Sequence, residues 1–473
     1  MNEHKKKTEK WIVVSLALPM LLASVGVSIP NIALPTLARE FGATFSEVQS
    51  IVLSYLLAVT VMIVSAGRIG DIFGRRRILL TGILFFVLGA LLCGLAPNLW
   101  ILICARAIQG LGAATVMALS VALIGDIVPK EKIGSAMGLM GTMSAIGTAS
   151  GPSVGGLVID EYGWQGIFFL MVILGLFSFY LSFRYLPRSN QEIKASSKGF
   201  DTIGTIFLGI SLAAYSVGVS RNSGHFYFEN WSLIAVAAAT FLIFLFRENT
   251  AKSPLIRLVV FRDVQLSANL IANILVSTVM MSTLVVGPFY LSRGLGLDTI
   301  FVGAVMSVGP LVSVLTGFPA GRFVDRFGST KVTKCGLIIM AVGASALCLL
   351  PQLLGMLGYI ISVAILSPGY QLFQTANNTA VMANVASDER GVFSGLLSLS
   401  RNVGLITGAS VMGALFAFSS DAPQISSASP ASITAGMRFT FSIATALVFI
   451  ALMITIISDQ YSNGEEKVET QLT

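Results

Sequence analysis

Charged side chains are scarce in this 473-residue chain. Asp, Glu, Lys and Arg together make up 11% of the residues, whereas hydrophobic residues make up 55%. Because soluble domains carry about 25% charged residues, this chain has too little polar surface to face water on all sides. The composition therefore excludes an ordinary soluble protein and predicts an integral membrane protein.

Residues that build metal, redox and catalytic sites are also few. The chain has two histidines and four cysteines, and the cysteines all lie in apolar runs without a CxxC pair. Cys93 and Cys104 flank a short turn and could form a disulfide, although two thiols in apolar packing are the preferred interpretation. No nucleophile elbow and no phosphate-binding loop with its lysine occurs. We therefore expect no enzyme activity, no cofactor, no metal and no direct use of ATP.

Long apolar runs, in contrast, are abundant. A membrane span needs about 20 mostly apolar residues, and the first run is longer than the core of a signal peptide, so we interpret it as a span. The fourteen predicted spans cover residues 11–31, 47–66, 78–95, 99–123, 133–158, 166–186, 202–219, 231–246, 266–291, 299–320, 332–350, 354–376, 391–418 and 439–457.

Lysine and arginine are distributed unevenly between the predicted loops. With the N-terminus in the cytoplasm, 24 of the 30 fall in cytoplasmic segments, four in outer segments and two inside spans. Short loops rich in these residues stay in the cytoplasm, so both termini are predicted to be cytoplasmic. The same distribution accounts for the net charge of +7 without nucleic acid as a partner. The outer residues are Arg39, Arg221, Arg293 and Arg438.

Two charged segments between spans repeat one another. Residues 67–74 read GRIGDIFG and residues 321–328 read GRFVDRFG, and three arginines follow only the first copy. A duplicated turn between membrane helices indicates a transporter built from two related halves.

Two further motifs lie inside predicted spans. Residues 106–114 read RAIQGLGAA in the fourth span, and residues 147–156 read GTASGPSVGG in the fifth. Glycines four residues apart let helix backbones touch, and a proline removes a hydrogen bond and bends the helix. A weaker copy of the second motif, with Gly404, Gly408 and Gly413, lies in the thirteenth span. Together with the duplicated turn, these motifs resemble the major facilitator superfamily (MFS), and within it the fourteen-span drug:proton antiporters.

This resemblance implies an all-α membrane protein with the MFS fold: two six-helix bundles plus two inserted helices, giving 14 transmembrane helices. The expected domains are residues 1–190 for the N-terminal bundle, 191–263 for the inserted helices and 264–473 for the C-terminal bundle and tail. The implied function is proton-coupled export of a small amphiphilic compound across the cytoplasmic membrane, by a monomer that alternates access within membrane lipid.

The resemblance also implies roles for individual residues. In the family the duplicated turn latches the two halves on the cytoplasmic side, which here assigns the latch to Gly67, Asp71, Gly74, Arg75 and Asp325. The fifth-span motif is the family's antiporter motif, here Gly147, Gly151, Pro152, Gly155 and Gly156. Proton coupling is implied for Arg106, with Asp126 and Asp71 as weaker candidates.

The first span departs from the family pattern. Fourteen-span drug exporters usually carry an Asp shortly before an Asn-x-Ala-Leu-Pro run; here the run is residues 31–35, but the acidic position holds Gly26 and a usual Thr is Ser28. No Asp or Glu lies deep in any predicted span, whereas Arg106 and Arg401 do. Like unit charges 4 Å apart repel by about 4 kcal/mol at intermediate dielectric. A cavity of this kind therefore favours neutral, anionic or lipid-like substrates over permanent cations.

Polar residues of the spans are candidates for contact with substrate. A buried Arg normally lines a water-filled cavity with a partner, although polar side chains in spans more often bond neighbouring helices. The candidates are Gly26, Ser54, Tyr55, Arg106, Gln109, Asn269, Asn273, Gln371, Gln374 and Arg401.

Two other functions stay open. The chain could be an importer or uncoupled carrier of a neutral or anionic solute that has lost proton coupling. It could also be a non-transporting receptor or a lipid-handling membrane protein, although a latch repeated in both halves is expected only in a protein that moves.

Overall fold

The computed structural model describes residues 2–127, 133–187, 202–220, 228–251, 258–383, 390–420 and 428–472. These ranges contain thirteen α-helices and a few short 3-10 and π-helical turns, and no β-strand occurs within them. The predicted all-α fold is therefore confirmed. The four cysteines are free thiols.

The thirteen α-helices of the described residues are numbered in chain order. In order they are α1 Asn2–Glu40, α2 Phe45–Phe73, α3 Arg75–Gly94, α4 Leu99–Ile127, α5 Ile133–Tyr185, α6 Thr202–Ser220, α7 Phe228–Thr250, α8 Val264–Phe289, α9 Thr299–Phe327, α10 Ser329–Ala383, α11 Arg390–Thr407, α12 Gly413–Ser419 and α13 Pro430–Leu472. A π-helical turn, Tyr290–Gly294, follows α8, and another, Gly408–Met412, joins α11 to α12.

The chain divides into two compact units. The first contains Met1–Leu255 and Leu297–Ser307, and the second contains Ile256–Gly296 and Val308–Thr473. The inserted helices α6 and α7 pack against each other within the first unit, where α6 also contacts α2. The three domain boundaries expected from the sequence stay a prediction.

Eleven of the described helices are long and apolar enough to cross a membrane, and α6 contributes a shorter apolar segment, Ile203–Val219. Two of the eleven combine a pair of predicted spans: α5 has 53 residues and α10 has 55. Their helical pattern is interrupted at Gly163 (φ 70°) and at Gly355 (φ 55°). A glycine with positive φ thus turns the chain close to each point where the sequence separates two spans.

Several helices extend beyond the predicted spans. Both repeated segments are helical to their last phenylalanine, and the chain turns only at Gly74 (φ 95°) and Gly328 (φ 83°). The predicted loops there are wrong for most of their length. Residues 247–250 and 459–472, which the sequence assigns to a connector and a tail, are helical as well. Hydropathy marks where apolar residues stop, whereas a helix continues as long as its backbone hydrogen bonds do.

The two units repeat one another in their packing. A Cβ at Gly112 on α4 would lie 2.6 Å from the carbonyl oxygen of Gly82 on α3. In the second unit, a Cβ at Gly369 would lie 2.8 Å from the carbonyl oxygen of Gly336 in the other half of α10. The α3–α4 contact and the contact within α10 thus depend on glycines in the same register, which supports the duplication seen in the sequence.

Candidate functional site

A fully buried arginine lies in α4 of the first unit. Arg106 is 0% exposed, and its guanidinium donates to the carbonyl oxygens of Gly26 on α1 (2.8 Å) and Ile51 on α2 (3.3 Å). A third hydrogen bond of 2.5 Å joins its Nη1 to Oε1 of Gln109. The Tyr55 ring centre is 4.2 Å from the guanidinium carbon. Within the described residues no carboxylate pairs with Arg106, so carbonyl groups and an aromatic face stabilise its charge.

The partners of this arginine are themselves fixed by neighbouring helices. Gln109 donates through Nε2 to the sulfur of Met171 on α5 (3.2 Å), and the Tyr55 hydroxyl donates to the carbonyl oxygen of Ala23 (2.9 Å). Gly26 faces the same hydroxyl, and a Cβ there would lie only 2.8 Å from it. Glycine at position 26 therefore allows close packing, because a methyl group there would crowd the Tyr55 and Phe86 side chains.

The sequence predicts that Arg106 lines a water-filled cavity, and this stays a prediction. Gly26, Tyr55, Arg106 and Gln109 are all buried against the helices that surround them. Ser54 is half-buried and donates to the carbonyl oxygen of Ile51 (3.2 Å). These candidates form one polar cluster, which we call the Arg106 cluster.

The candidates in the second unit are spread over three helices. Asn273 is buried and donates to the carbonyl oxygen of Leu397 (3.1 Å) and to the Ser400 hydroxyl (2.8 Å), which joins α8 to α11. Asn269, Gln371 and Gln374 are half-buried. Asn273 thus acts as a contact between helices, the role that polar residues in spans most often have.

Arg401 on α11 is exposed, in contrast to Arg106, and its role as a candidate for substrate contact stays a prediction. Its neighbours Asn402 and Gly404 are buried. A residue's depth along a span does not determine which side of the helix it occupies, and Arg401 lies on the exposed side. Arg106 is therefore the buried arginine of the pair.

The arginines of the first latch copy bind the ends of neighbouring helices. Arg76 donates to the carbonyl oxygens of Phe183 (2.7 Å) and Leu186 (3.0 Å), where α5 ends. Arg75 donates to the carbonyl oxygen of Ala122 near the end of α4 (3.3 Å). Unsatisfied carbonyl groups give a helix C-terminus partial negative charge, so these contacts are electrostatically favourable. Within the first unit, the latch arginines hold α3 to the ends of α4 and α5.

The two repeated segments end in the same kind of turn. At Gly74 the amide donates to the carbonyl oxygen four residues before it (2.9 Å), and Gly328 does the same (2.9 Å). The side chain of Asp325 is exposed. Asp71 and Asp126 lie in described helices, but their side chains are not among those that the structure describes. No Cβ contact limits Gly67, because nothing lies within 4 Å of that position.

One face of the antiporter motif packs on α1. A Cβ at Gly147 would lie 2.6 Å from the carbonyl oxygen of Leu21, and one at Gly151 would lie 2.8 Å from Cβ of Ser28. The Ser28 hydroxyl donates to the carbonyl oxygen of Gly147 (3.2 Å). Gly155 is in ordinary contact with Ile29 at 3.4 Å. The second unit repeats this arrangement, since Gly404 and Gly408 face the α8 backbone at Ile274 and Thr278.

The opposite face of the motif packs on the first turns of α9. A Cβ at Gly156 would lie 2.9 Å from the carbonyl oxygen of Thr299, and Gly303 faces the backbone of Pro152. The Ser153 hydroxyl donates to the Ser307 hydroxyl at 2.5 Å. The glycines and the proline of this motif therefore let α5 approach two helices at backbone distance.

The structure contains one buried acid that the sequence does not predict. Glu248 near the end of α7 is 3% exposed, and it is the buried carboxylate of the described residues, as Arg106 is their buried cation. Its place beside Arg247, after an apolar run, predicts a solvated connector. Only the extension of α7 to Thr250 and its packing show otherwise, and no local pattern in the sequence signals this burial.

Two curated relatives resemble the chain along most of its length. The riboflavin transporter RibZ of Clostridioides difficile is 26% identical over 449 residues, covering 95% of this chain and 97% of the relative. The multidrug resistance protein Stp of Mycobacterium tuberculosis is 28% identical over 422 residues, covering 87% of this chain and 76% of the relative.

The fold and the family agree with these relatives. The crystal structure of a D-xylose–proton symporter has a TM-score of 0.68 at 13% identity, covering 94% of this chain and 96% of the symporter. The family model described as Major Facilitator Superfamily matches residues 16–409 and 269–472. The buried arginine, the repeated charged segment and the glycine-rich α5 are thus parts of a multi-pass membrane transporter, and the chain belongs to the major facilitator superfamily.

Proposed function

We propose that this chain exports amphiphilic compounds from the cytoplasm in exchange for protons, as a monomer in the cytoplasmic membrane. The observation that carries the proposal is the antiporter motif of α5, whose Gly147, Gly151 and Gly156 lie at backbone distance from α1 and α9. Such close packing restricts the relative positions that these helices can take. The multidrug resistance relative supports export as the direction.

The charge of the Arg106 cluster supports neutral or anionic substrates. Arg106 has no carboxylate partner among the described residues, and Gly26 occupies the position of the family's acid. A cation that came within 4 Å of this guanidinium would be repelled by about 4 kcal/mol at intermediate dielectric. Amphiphiles without a permanent positive charge therefore fit the cluster better than quaternary ammonium compounds do.

The described helices also support fourteen spans. At 1.5 Å per residue, α5 and α10 would each reach about 80 Å if they were straight, whereas the hydrocarbon core is about 30 Å thick. If each crosses twice, turning at Gly163 and at Gly355, the eleven long helices and the short α6 account for all fourteen. Fusing a reporter that is active only in the cytoplasm to each terminus would test the proposed orientation, and an inactive fusion at either end would contradict it.

The experiment that tests the function is transport in proteoliposomes with an imposed pH gradient. Three fluorescent amphiphiles of similar size, one cationic, one neutral and one anionic, are compared with and without the gradient. We expect gradient-driven movement of the neutral or anionic compound, and no movement with a Gly151→Leu protein. Transport that is unaffected by collapse of the gradient would contradict proton antiport.

A second candidate is uptake of a neutral or anionic heterocyclic solute. The riboflavin transporter matches this chain almost end to end. In the described spans no carboxylate that could carry a proton lies beside Arg106. Riboflavin is the first compound to examine. Accumulation in cells that require it, without proton dependence, would favour this candidate over export.

A further inference from the structure

A groove opens in the second unit where three segments diverge. It lies between the start of α13, the break of α10 at Gly355 and the π-helical turn that ends at Gly294. Its volume is about 560 Å³, and Gln352, Thr434, Arg438, Phe439 and Ser442 supply its larger side chains. All these residues belong to the second unit. The groove is separate from the Arg106 cluster, which belongs to the first unit.

The groove presents polar side chains along one face of α13. Thr434, Arg438 and Ser442 are four residues apart, so their side chains lie above one another. Arg438 is exposed, and no acidic side chain pairs with it in the described part of the chain. Gln352 faces them from α10 and adds an amide group. The hydroxyls of Thr434 and Ser442 donate to the carbonyl oxygens of Pro430 and Arg438 (2.8 Å each), so the Arg438 guanidinium and the Gln352 amide are the donors that a ligand would meet. Arginine binds the oxygens of a phosphate in a fork geometry.

Apolar surface adjoins these donors. On α10, Leu353, Leu354 and Leu357 are 77%, 50% and 59% exposed, and Phe439 beside Arg438 is 44% exposed. Arg438 directly precedes the last predicted span, which places its guanidinium at the level of lipid headgroups. It is also one of only four Lys or Arg residues that the sequence assigns to the outer face. A ligand that fits both surfaces has a phosphate and hydrocarbon chains.

We propose that this groove binds the phosphate headgroup of an anionic phospholipid from the outer leaflet. Arg438 binds the phosphate, Gln352 and Ser442 contact the headgroup, and the acyl chains lie along the leucines of α10 and Phe439. The lipid connects α10 to α13 on the side where Cys348 contacts Ser442 (3.1 Å). The choice of the outer leaflet rests on the proposed orientation of the termini, whereas the site does not depend on the proposed direction or substrate of transport.

The test is binding of phosphatidylglycerol to the delipidated full-length protein in detergent, measured by native mass spectrometry and by the shift in unfolding temperature. We expect one tightly bound lipid, and at least tenfold weaker binding to Arg438→Gln. Arg39→Gln is the matched control, because it removes an exposed outer arginine from the last turn of α1 in the first unit. Lipid binding to Arg39→Gln should equal that of the parent protein.

Further arms separate the possible ligands and guard against a folding defect. Ala435→Trp fills the groove but keeps Arg438, so it should also lose the lipid. Diacylglycerol with the same acyl chains should not bind, and millimolar inorganic phosphate should not displace phosphatidylglycerol. Equal lipid affinity in the parent, Arg438→Gln and Ala435→Trp proteins would overturn the proposal. Displacement by inorganic phosphate would instead identify a site for soluble anions.

Discussion

A methyl group added at Gly26 should destabilise the Arg106 cluster through one identifiable atom. The Cβ of Gly26→Ala would lie 2.8 Å from the Tyr55 hydroxyl oxygen, 3.2 Å from Phe86 and 3.3 Å from the Tyr55 ring. That hydroxyl donates to the carbonyl oxygen of Ala23, so moving it away also breaks a buried hydrogen bond. The substitution thus causes both overpacking and the loss of a hydrogen bond.

The expected cost follows from three effects. Overpacking costs about 1–3 kcal/mol, and a buried hydrogen bond contributes about 0.5–1.5 kcal/mol. Alanine is better than glycine inside a helix by about 1 kcal/mol, which offsets part of the loss. Gly26→Ala should therefore lower the free energy of unfolding by about 0.5–3.5 kcal/mol, since steric and hydrogen-bond effects outweigh helix propensity. In a Tyr55→Phe protein the closest contact is absent, and the same change should cost close to zero.

The assay is a double-mutant cycle over Gly26→Ala and Tyr55→Phe, with free energies of unfolding from SDS titration in mixed micelles. We expect a coupling energy of about 1 kcal/mol or more, as found for residues in contact. Gly395→Ala is the control, because a Cβ at this helical glycine meets nothing within 4 Å. Equal costs in both backgrounds, or a Gly26→Ala protein as stable as the parent, would refute the reasoning.

Three other substitutions test the transport machinery. Gly151→Leu should abolish transport, because the added side chain overlaps α1 at Ser28; Gly395→Leu, with open space around it, should transport normally, and equal transport by both variants would mean that α5 needs no close packing. Asp71→Asn should reduce proteoliposome transport more than Asp325→Asn does, since three arginines follow only the first copy. Normal transport by a well-expressed Asp71→Asn protein would contradict the proposal that this segment acts as a latch. Arg106→Lys should keep partial transport and Arg106→Ala none, because an ammonium retains the charge but not the planar fork. Proton-driven transport by the alanine variant would exclude a role of Arg106 in proton coupling.

Much of the fold follows from the sequence because hydropathy and glycine spacing report on it directly. The duplicated segments predict two related halves, and the glycine contacts of α3–α4 recur within α10 as expected. The sequence places span boundaries near Gly163 and Gly355, but it does not reveal that the chain turns at these glycines. Nothing in the residues around Gly163 or Gly355 distinguishes a helical glycine from one with positive φ, since glycine adopts both.

The site is harder to predict than the fold, because burial depends on the orientation of each helix. Arg106 and Arg401 both lie deep in apolar runs, yet one is buried and the other exposed. Glu248 lies after an apolar run beside Arg247 and is nevertheless buried. The local sequence indicates how deep a residue lies along a span. Whether its side chain is buried depends on helices that are distant in the chain.

The carbonyl ligands of Arg106 have a consequence for how the protein is made. An arginine at the centre of an isolated helix costs about 2.5–3.5 kcal/mol on insertion into the membrane, so the fourth span inserts less readily by itself than its neighbours do. Its acceptors, Gly26 on α1 and Ile51 on α2, are synthesised before it. The two helices that supply these carbonyl groups are therefore inserted before Arg106 is synthesised. The acceptors for its charge are then already in the membrane when the fourth span enters it.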